Sequence, residues 1–321
     1  MKIQEEVKLI PLITPRAIVP KDVEGKRIDD FIRELFNNNE IEVQDDDVLV
    51  ITSKIVSFFE GGLIKLDDIN PSRKARIIAK AFKKDARKVQ ILMETGKVIA
   101  VIPLKHTVKI PSLWNKMVKT SSDQEEMKSG YKSLNNSVFM IKAHAAYLDE
   151  GGMDNTNAPE GYITVLPKDP CAIAKIIKER IREEYKKDIG VIITDTISST
   201  MRFGGQDIAI GYAGIDPITR TNFSKDLFGV PRSGGVDIVI DSIAGMAGLL
   251  IGQKTELTPA VILRGFNFAK EEDSSTGMNI LEFPMKAGLI MGLFTIGSTI
   301  KFHIVNLFTF SRWPKRTRSI K

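Results

Sequence analysis

The chain has few of the side chains that bind soft metals or form covalent cross-links, with one cysteine and three histidines in 321 residues. Its single cysteine, Cys171, excludes an internal disulfide and is typical of a protein in a reducing interior. The sequence shows no cluster of cysteine and histidine, which argues against a zinc site. A metal in this protein is therefore expected to have hard oxygen ligands, which suit Mg²⁺ or Mn²⁺.

Nucleic-acid signatures are also missing. The sequence has neither an RNA-binding motif nor a basic stripe interleaved with aromatic residues, so we expect no nucleic-acid partner. The N-terminal run has no convincing cleavage site and reads as a first strand, which favours a cytoplasmic location. The net charge of +6 is modest, and it suits nucleotides, other anions or phospholipid surfaces. A basic group without acids closes the chain: Arg312, Lys315, Arg316, Arg318 and Lys321.

Apolar runs alternate with amphipathic segments along the chain. We predict buried strands at 48–51, 98–102, 138–141, 162–166, 191–193, 208–210, 236–240 and 259–263. We predict helices at 29–37, 73–84, 85–95, 172–187 and 241–251, and a surface insertion or mobile loop at 121–132. This order of strands and helices predicts an α+β or mixed α/β fold.

The most informative stretch is 190–211, GVIITDTISSTMRFGGQDIAIG. Its apolar run Val191–Ile193 ends at Asp195, and a carboxylate just past a buried strand is well placed to bind Mg²⁺ or Mn²⁺. Gly204 and Gly205 let the backbone approach another group closely. A strand, a polar turn and a second strand without chemistry is the alternative, and the residues alone leave both open.

Two other segments have the composition of a binding site. Ser53 and Lys54 follow the strand at 48–51, where they could hold phosphate or lie in a solvated loop. The run 149–157, DEGGMDNTN, could contact metal or phosphate, or could form a simple turn.

The segment 289–310 is apolar apart from a few hydroxyls, Lys301, His303 and Asn306. It is long enough to cross a bilayer, but Lys301 near its middle costs roughly 2.5–3.5 kcal/mol on insertion. Three interpretations remain: a helix packed on the core or on a dimer partner, a peripheral or inserted membrane anchor, and a frayed tail. The second would add membrane association to the cytoplasmic location.

Several runs, in the same order along the chain, resemble the family of coenzyme F-420-0:L-glutamate ligases, the γ-glutamyl ligases of deazaflavin coenzyme biosynthesis. They are VLVITSKIVSFFEG (48–61), GMDNTNAPEGYITVLPKDP (152–170), GVIITDT (190–196), AIG (209–211), KDLFG (225–229) and IGQ…TPAVILRG (251–265). The resemblance implies a catalytic region at 1–268, with two intermixed subdomains and mixed sheets, in an intertwined dimer. Residues 269–321 would be a divergent tail.

The resemblance also implies a reaction and its site residues. Family members join L-glutamate to the lactyl side-chain carboxylate of the coenzyme precursor, using GTP and divalent cations. The implied metal ligands are Asp154, Asp195, Thr196 and Gln253. The implied nucleotide contacts are Ser53, Lys54, Asn157, Gly252 and Gln253, and the implied catalytic residues are Asp154, Asp195 and Arg202. Ligation through an acyl phosphate fits two Mg²⁺ or Mn²⁺ ions, which neutralise the triphosphate of GTP or ATP.

Three positions depart from the family pattern. Phe58 stands where the family has a lysine, Ser199 where it has an arginine, and Ser242 where a glutamate is frequent. The loss of two cations weakens the electrostatic attraction for an anionic substrate. Arg16, Lys65 or Arg220 could replace the missing positive charge. These changes suggest a divergent member with another acceptor.

The sequence therefore predicts an NTP- and divalent-metal-dependent amide ligase that adds L-glutamate to a carboxylate of a deazaflavin-type cofactor precursor. A folate or pterin γ-glutamyl ligase on the same scaffold is the first alternative. A non-catalytic nucleotide-binding homologue, acting through its dimer surface or its tail, is the second.

Overall fold

The structure, a computed structural model, describes residues 2–133, 137–198, 203–270 and 277–308. The chain forms two compact units, Met1–Ile280 and Leu281–Lys321. The two intermixed subdomains expected within 1–268 stay a prediction.

The described strands are β1 (Lys2–Leu12), β2 (Val48–Thr52), β3 (Leu63–Lys65), β4 (Lys97–Pro103), β5 (Ser137–Ala143), β6 (Ala146–Asp149), β7 (Tyr162–Thr164), β8 (Gly190–Ser198), β9 (Gly205–Ala213), β10 (Ile218–Thr219), β11 (Asp237–Ile238) and β12 (Ala260–Asn267). The described α-helices are α1 (Pro20–Val23), α2 (Ile28–Asn38), α3 (Ser53–Phe59), α4 (Arg73–Phe82), α5 (Ala86–Thr95), α6 (Pro111–Thr120), α7 (Gln124–Ser133), α8 (Pro170–Tyr185), α9 (Val239–Ile251) and α10 (Met285–Phe308). The mixed α+β class predicted from the sequence is confirmed.

The main sheet has the strand order β1-β12-β2-β8-β9. Its neighbours are antiparallel except β2 and β8, which run parallel with Thr52 opposite Thr194. Because parallel strands end at the same edge of a sheet, the residues that follow β2 and the end of β8 meet there. This edge holds the candidate site.

The centre of the main sheet is buried on both faces, which explains the continuous apolar runs of β2 and β8. Alternate residues, such as Leu49, Ile51, Val191 and Ile193, share a core with residues of α2 and α8. Helix α9 packs against β9 and β12. The sheet is therefore a rigid base from which polar residues at its edge can be positioned.

Two sequence predictions of local structure are wrong. Residues 124–133 form α7 instead of a loop, and Asp123 accepts a hydrogen bond from the N–H of Glu126 at its start. Only Asp237–Ile238 of the strand predicted at 236–240 is extended, and α9 begins at Val239. The β-branched run there favours a strand locally, but packing of α9 against the main sheet decides the outcome.

The second unit contains α10, a helix over most of the apolar segment 289–310. Of the described helices, none is long and apolar enough to span a membrane.

Candidate functional site

Helix α3 begins directly at the end of β2 and directs two consecutive residues toward the site. Thr52 caps the helix by accepting a hydrogen bond from the N–H of Ile55. Ser53 then donates to Asp195 Oδ1 at 2.8 Å, and Lys54 Nζ lies 2.6 Å from Asp154 Oδ2. Two carboxylates that are distant in sequence are thus joined to adjacent residues of one helix.

Asp154 is held by its backbone as well as by its side chain. It forms a two-way backbone bridge with Thr164, and its Oδ1 accepts the N–H of Thr156 at 2.8 Å. Burial acts to raise the pKa of Asp154, but the hydrogen bond from Lys54, the Thr156 N–H and the Lys54 charge outweigh it and lower the pKa. The carboxylate is therefore ionised and already has a cation beside it.

Asp195 has a different environment. Burial raises its pKa to about 6, against the opposing effects of the Ser53 hydroxyl, the Thr196 N–H and the charge of Lys54. The nearby charge of Asp207 is a smaller contribution in the same direction as burial. At neutral pH Asp195 is thus an ionised but poorly solvated carboxylate, which favours the arrival of a cation.

A chain of hydrogen bonds extends from Asp195 to the end of α9. Thr196 donates to Asp207 Oδ1 at 2.5 Å and accepts from Gln253 Nε2 at 2.9 Å. Gly252 before Gln253 has a φ of 68°, and the side chain of Glu256 occupies the space that a Cβ would need. Asn157 closes this side by donating to the carbonyl of Lys254 at 2.9 Å.

These residues line one cavity of about 830 Å³. Its walls include eight of the residues predicted from the sequence: Ser53, Lys54, Asp154, Asn157, Asp195, Thr196, Gly252 and Gln253. Arg202, the remaining predicted residue, and Ser199 lie outside the described residues. The roles assigned to all of them stay predictions.

Asp207 is a cavity residue that sequence reasoning missed. It lies in β9 directly opposite Thr196 of β8. The signal in the sequence was the carboxylate of GGQDIAIG, between the paired glycines and the apolar run. Its relevance depends on the register of the β8–β9 hairpin, which one sequence does not specify.

The cavity has fewer cations than the family pattern suggests. Within the described residues its lining cations are Lys54 and Lys254, and the buried side chain of Phe58 forms part of the wall. The lining does not include the three proposed replacements, and two of these, Arg16 and Arg220, pair with Asp22 and Asp216. Ser242 is exposed on α9 and bonds the carbonyl of Ile238.

The donor atoms fit Mg²⁺ or Mn²⁺ better than a softer metal, since they are carboxylate, hydroxyl and amide oxygens. Among the described residues, no three His, Cys, Asp or Glu side chains form a metal-binding group. Mg²⁺ is commonly held by one or two carboxylates together with substrate phosphates, so a two-carboxylate site fits a metal that arrives with a nucleotide. Two buried oxygens of the wall, Asp149 Oδ1 and Ser57 Oγ, also have no hydrogen-bond partner in the described structure.

Fold and site together define an α+β protein with an acidic, oxygen-rich cavity at the edge of a mixed sheet. The family model described as F420-0:Gamma-glutamyl ligase matches residues 19–265, and the chain belongs to that family.

Curated relatives agree with the family assignment. A protein of Methanopyrus kandleri named coenzyme F420:L-glutamate ligase is 34% identical over 224 residues, which cover 70% of this chain and 77% of the relative. Proteins with the same name from Archaeoglobus fulgidus and Methanosarcina acetivorans are 32% and 31% identical. These matches cover 75% and 74% of this chain and 84% and 82% of the relatives.

Proposed function

We propose that this protein is a ligase that uses a nucleoside triphosphate and Mg²⁺ or Mn²⁺ to add L-glutamate to a carboxylate of a deazaflavin-type cofactor precursor. Membership of the family and the activity for which its relatives are named support glutamate ligation. The observation that carries the proposal is the connection of Asp154 and Asp195 through Lys54 and Ser53 in one cavity.

In the proposed reaction, the γ-phosphoryl group moves from GTP or ATP to the acceptor carboxylate, giving an acyl phosphate and a nucleoside diphosphate. The amine of glutamate then attacks the acyl carbon, an amide forms and inorganic phosphate leaves. Bound metal would neutralise the phosphates and the transferring group. The residues that would hold it are Asp154, Asp195, Thr196 and Gln253.

The remaining polar groups of the cavity have supporting roles in this proposal. Lys54 and Lys254 would neutralise phosphate oxygens. Asp207 would orient the hydroxyl of Thr196, to which it is bonded. Asn157, next to the 252–254 turn, would contact the nucleotide.

The test is turnover of GTP and of ATP with Mn²⁺ and L-glutamate, measured across deazaflavin and pterin acceptors. We expect phosphate release and amide formation with a deazaflavin carboxylate. Exclusive use of a pterin acceptor would indicate the folate-type ligase instead. If nucleotide binds without metal and Asp195→Asn leaves that binding unchanged, the ligase proposal is wrong.

Phe58 favours a second candidate, a nucleotide-binding homologue without catalysis. An apolar ring in the cavity wall supplies none of the charge expected from the family lysine. Phe58→Lys separates the two: it should raise the turnover of a working ligase that lacks a cation. Nucleotide binding without turnover in both proteins would favour the second candidate.

We further propose a homodimer. Residues 221–232 form an arm in which Lys225 bridges Pro231, and Leu227 and Phe228 at its tip are 99% and 91% exposed. Large exposed apolar side chains at one tip are typical of a contact surface. Sedimentation of the wild type and of Leu227→Ser/Phe228→Ser tests this, with a shift toward monomer expected in the variant.

A further inference from the structure

A second, smaller cavity of about 400 Å³ adjoins the candidate site. Glu150, Met153 and Asp154 line both cavities. The smaller one is built around the turn between α4 and α5, and its wall includes Lys83 of this turn and Lys88 of α5. Any ligand held there is therefore next to a carboxylate of the proposed metal site.

The carboxylates of the smaller cavity each have a cation within ion-pair distance. Lys84, whose side chain is 6% exposed, lies 2.8 Å from the carboxylate of Glu150 and donates to the carbonyl of Ser137. Asp85 accepts hydrogen bonds from Arg87. Asp154 is paired with Lys54. These acids therefore already have a cation beside them, although Arg87 is shared between Asp85 and Asp67.

Lys83 and Lys88 are the cations left over. The ammonium group of neither lysine makes a hydrogen bond or an ion pair with another described residue, although Lys88 is only part-exposed and its charge helps to lower the pKa of Asp85. Lys83 ends α4 in the left-handed conformation, with φ 53° and ψ 45°, and this turn places it on the same cavity as Lys88. A cavity with two ammonium groups that form no ion pair, and with acids that already have cations beside them, is suited to a small dianion.

We propose that this smaller cavity binds the incoming amino acid, L-glutamate, with Lys83 and Lys88 contacting its two carboxylates. This inference rests on the proposed function, in which the amine reacts and both glutamate carboxylates stay free and charged. Binding beside Asp154 would leave the amine facing the larger cavity, where the activated acceptor forms. The larger cavity is then left for the nucleotide and the acceptor.

The test compares Lys83→Met and Lys88→Met with Lys80→Met, an exposed lysine of α4 that is not part of either cavity wall. Methionine keeps most of the length of the side chain and removes its charge. For each cavity variant we expect KM for glutamate to rise about 10–100-fold, the loss of one charged hydrogen bond. KM for nucleotide and for acceptor should stay within twofold, and Lys80→Met should match the wild type. The ratio of kcat/KM for glutamate to kcat/KM for glutamine should fall in at least one cavity variant.

Other outcomes overturn the inference in identifiable ways. A rise in KM for the acceptor alone would show that the two lysines bind an anionic group of the acceptor. Unchanged KM values for all three substrates would show that the lysines bind no substrate. If the wild type turns over no acceptor, the proposed function fails separately. Calorimetric titration with L-glutamate still tests the cavity in that case. Absence of binding, or equal binding by wild type and both cavity variants, would then overturn the inference.

Discussion

Two carboxylates of the larger cavity, those of Asp154 and Asp195, lie beside adjacent residues of α3, yet their environments differ. Asp195 is half-buried and bonded to a neutral hydroxyl, and the loss of solvation raises its pKa to about 6. Asp154 is more exposed and paired with an ammonium group, and its pKa is lowered. The difference shows that one hydroxyl does not offset burial of a charge, whereas an ion pair with Lys54 does. A bound cation would therefore stabilise the ionised form of Asp195 more than that of Asp154.

Asp195→Asn is expected to have the largest effect, with opposite signs for function and stability. Metal-dependent turnover should fall roughly 10²–10³-fold, because the amide brings no charge to the cation. The pKa of Asp195 in the folded protein lies above its unfolded value, so its stabilising contribution is present at low pH and lost as pH rises through about 6. Removing that charge should raise the free energy of unfolding at pH 7 by on the order of 2 kcal/mol. Urea unfolding of the metal-free protein measures this.

Asp154→Asn is the matched control. It should also lower metal-dependent turnover, but it should lower the stability of the metal-free protein because Lys54 loses its ion-pair partner. Loss of stability in both variants would contradict the difference between the two environments.

Metal removal is expected to have the next largest effect. Chelation should stop turnover, and Mn²⁺ alone should raise the unfolding midpoint only slightly, because two carboxylates and neutral donors form an incomplete shell. Mn²⁺ together with a nucleotide analogue should stabilise the protein by about 2.7 kcal/mol at a hundredfold excess over Kd. Equal stabilisation by Mn²⁺ with and without nucleotide, seen by calorimetry, would indicate a complete protein-built metal site.

Ser53→Ala should have a smaller effect that depends on pH. The Ser53 hydroxyl lowers the pKa of Asp195, so its loss should move that pKa further above 6. Because a protonated carboxyl binds cations poorly, the acid side of the pH–rate profile should shift upward by about one pH unit. Ser57→Ala is the control, since its hydroxyl lies in the same helix and has no partner among the described residues. Identical pH–rate profiles for the two variants would show that the Ser53 hydroxyl does not lower the pKa of Asp195.

Truncation after Ile280, at the boundary between the two units, should have the smallest effect on either carboxylate. Nucleotide affinity is expected to stay within about twofold, while solubility or oligomeric state changes because apolar α10 is removed. Light scattering and nucleotide titration measure both. Unchanged mass and solubility would show that the segment has no role in association.

Much of the fold was predictable because its signals are local. The apolar runs of β2 and β8 and the helical spacing of α2 and α8 identify the main elements. Ser53, Lys54 and Asp195 were predicted because they follow buried strands, whereas Asn157 and the 252–253 pair were implied by the family resemblance. The helix at 124–133 was missed because its polar composition resembles that of a loop.

Features that depend on register or on distant pairing were not predictable. Asp207 becomes part of the cavity only because β9 pairs with β8 in one particular register. The pairing of Lys84 with Glu150 joins residues 66 positions apart, and without it the free lysines beside them are not recognisable. These contacts follow from tertiary structure, for which a single sequence gives no spacing rule.

The position of β2 in the main sheet also has a consequence for synthesis of the chain. Its two neighbours, β8 and β12, leave the ribosome more than a hundred residues after β2 itself. Until then the nascent polypeptide carries an apolar strand with both edges unpaired, a state prone to aggregation. Assembly of the sheet is therefore a late, non-local event, and it should proceed slowly compared with formation of the helices.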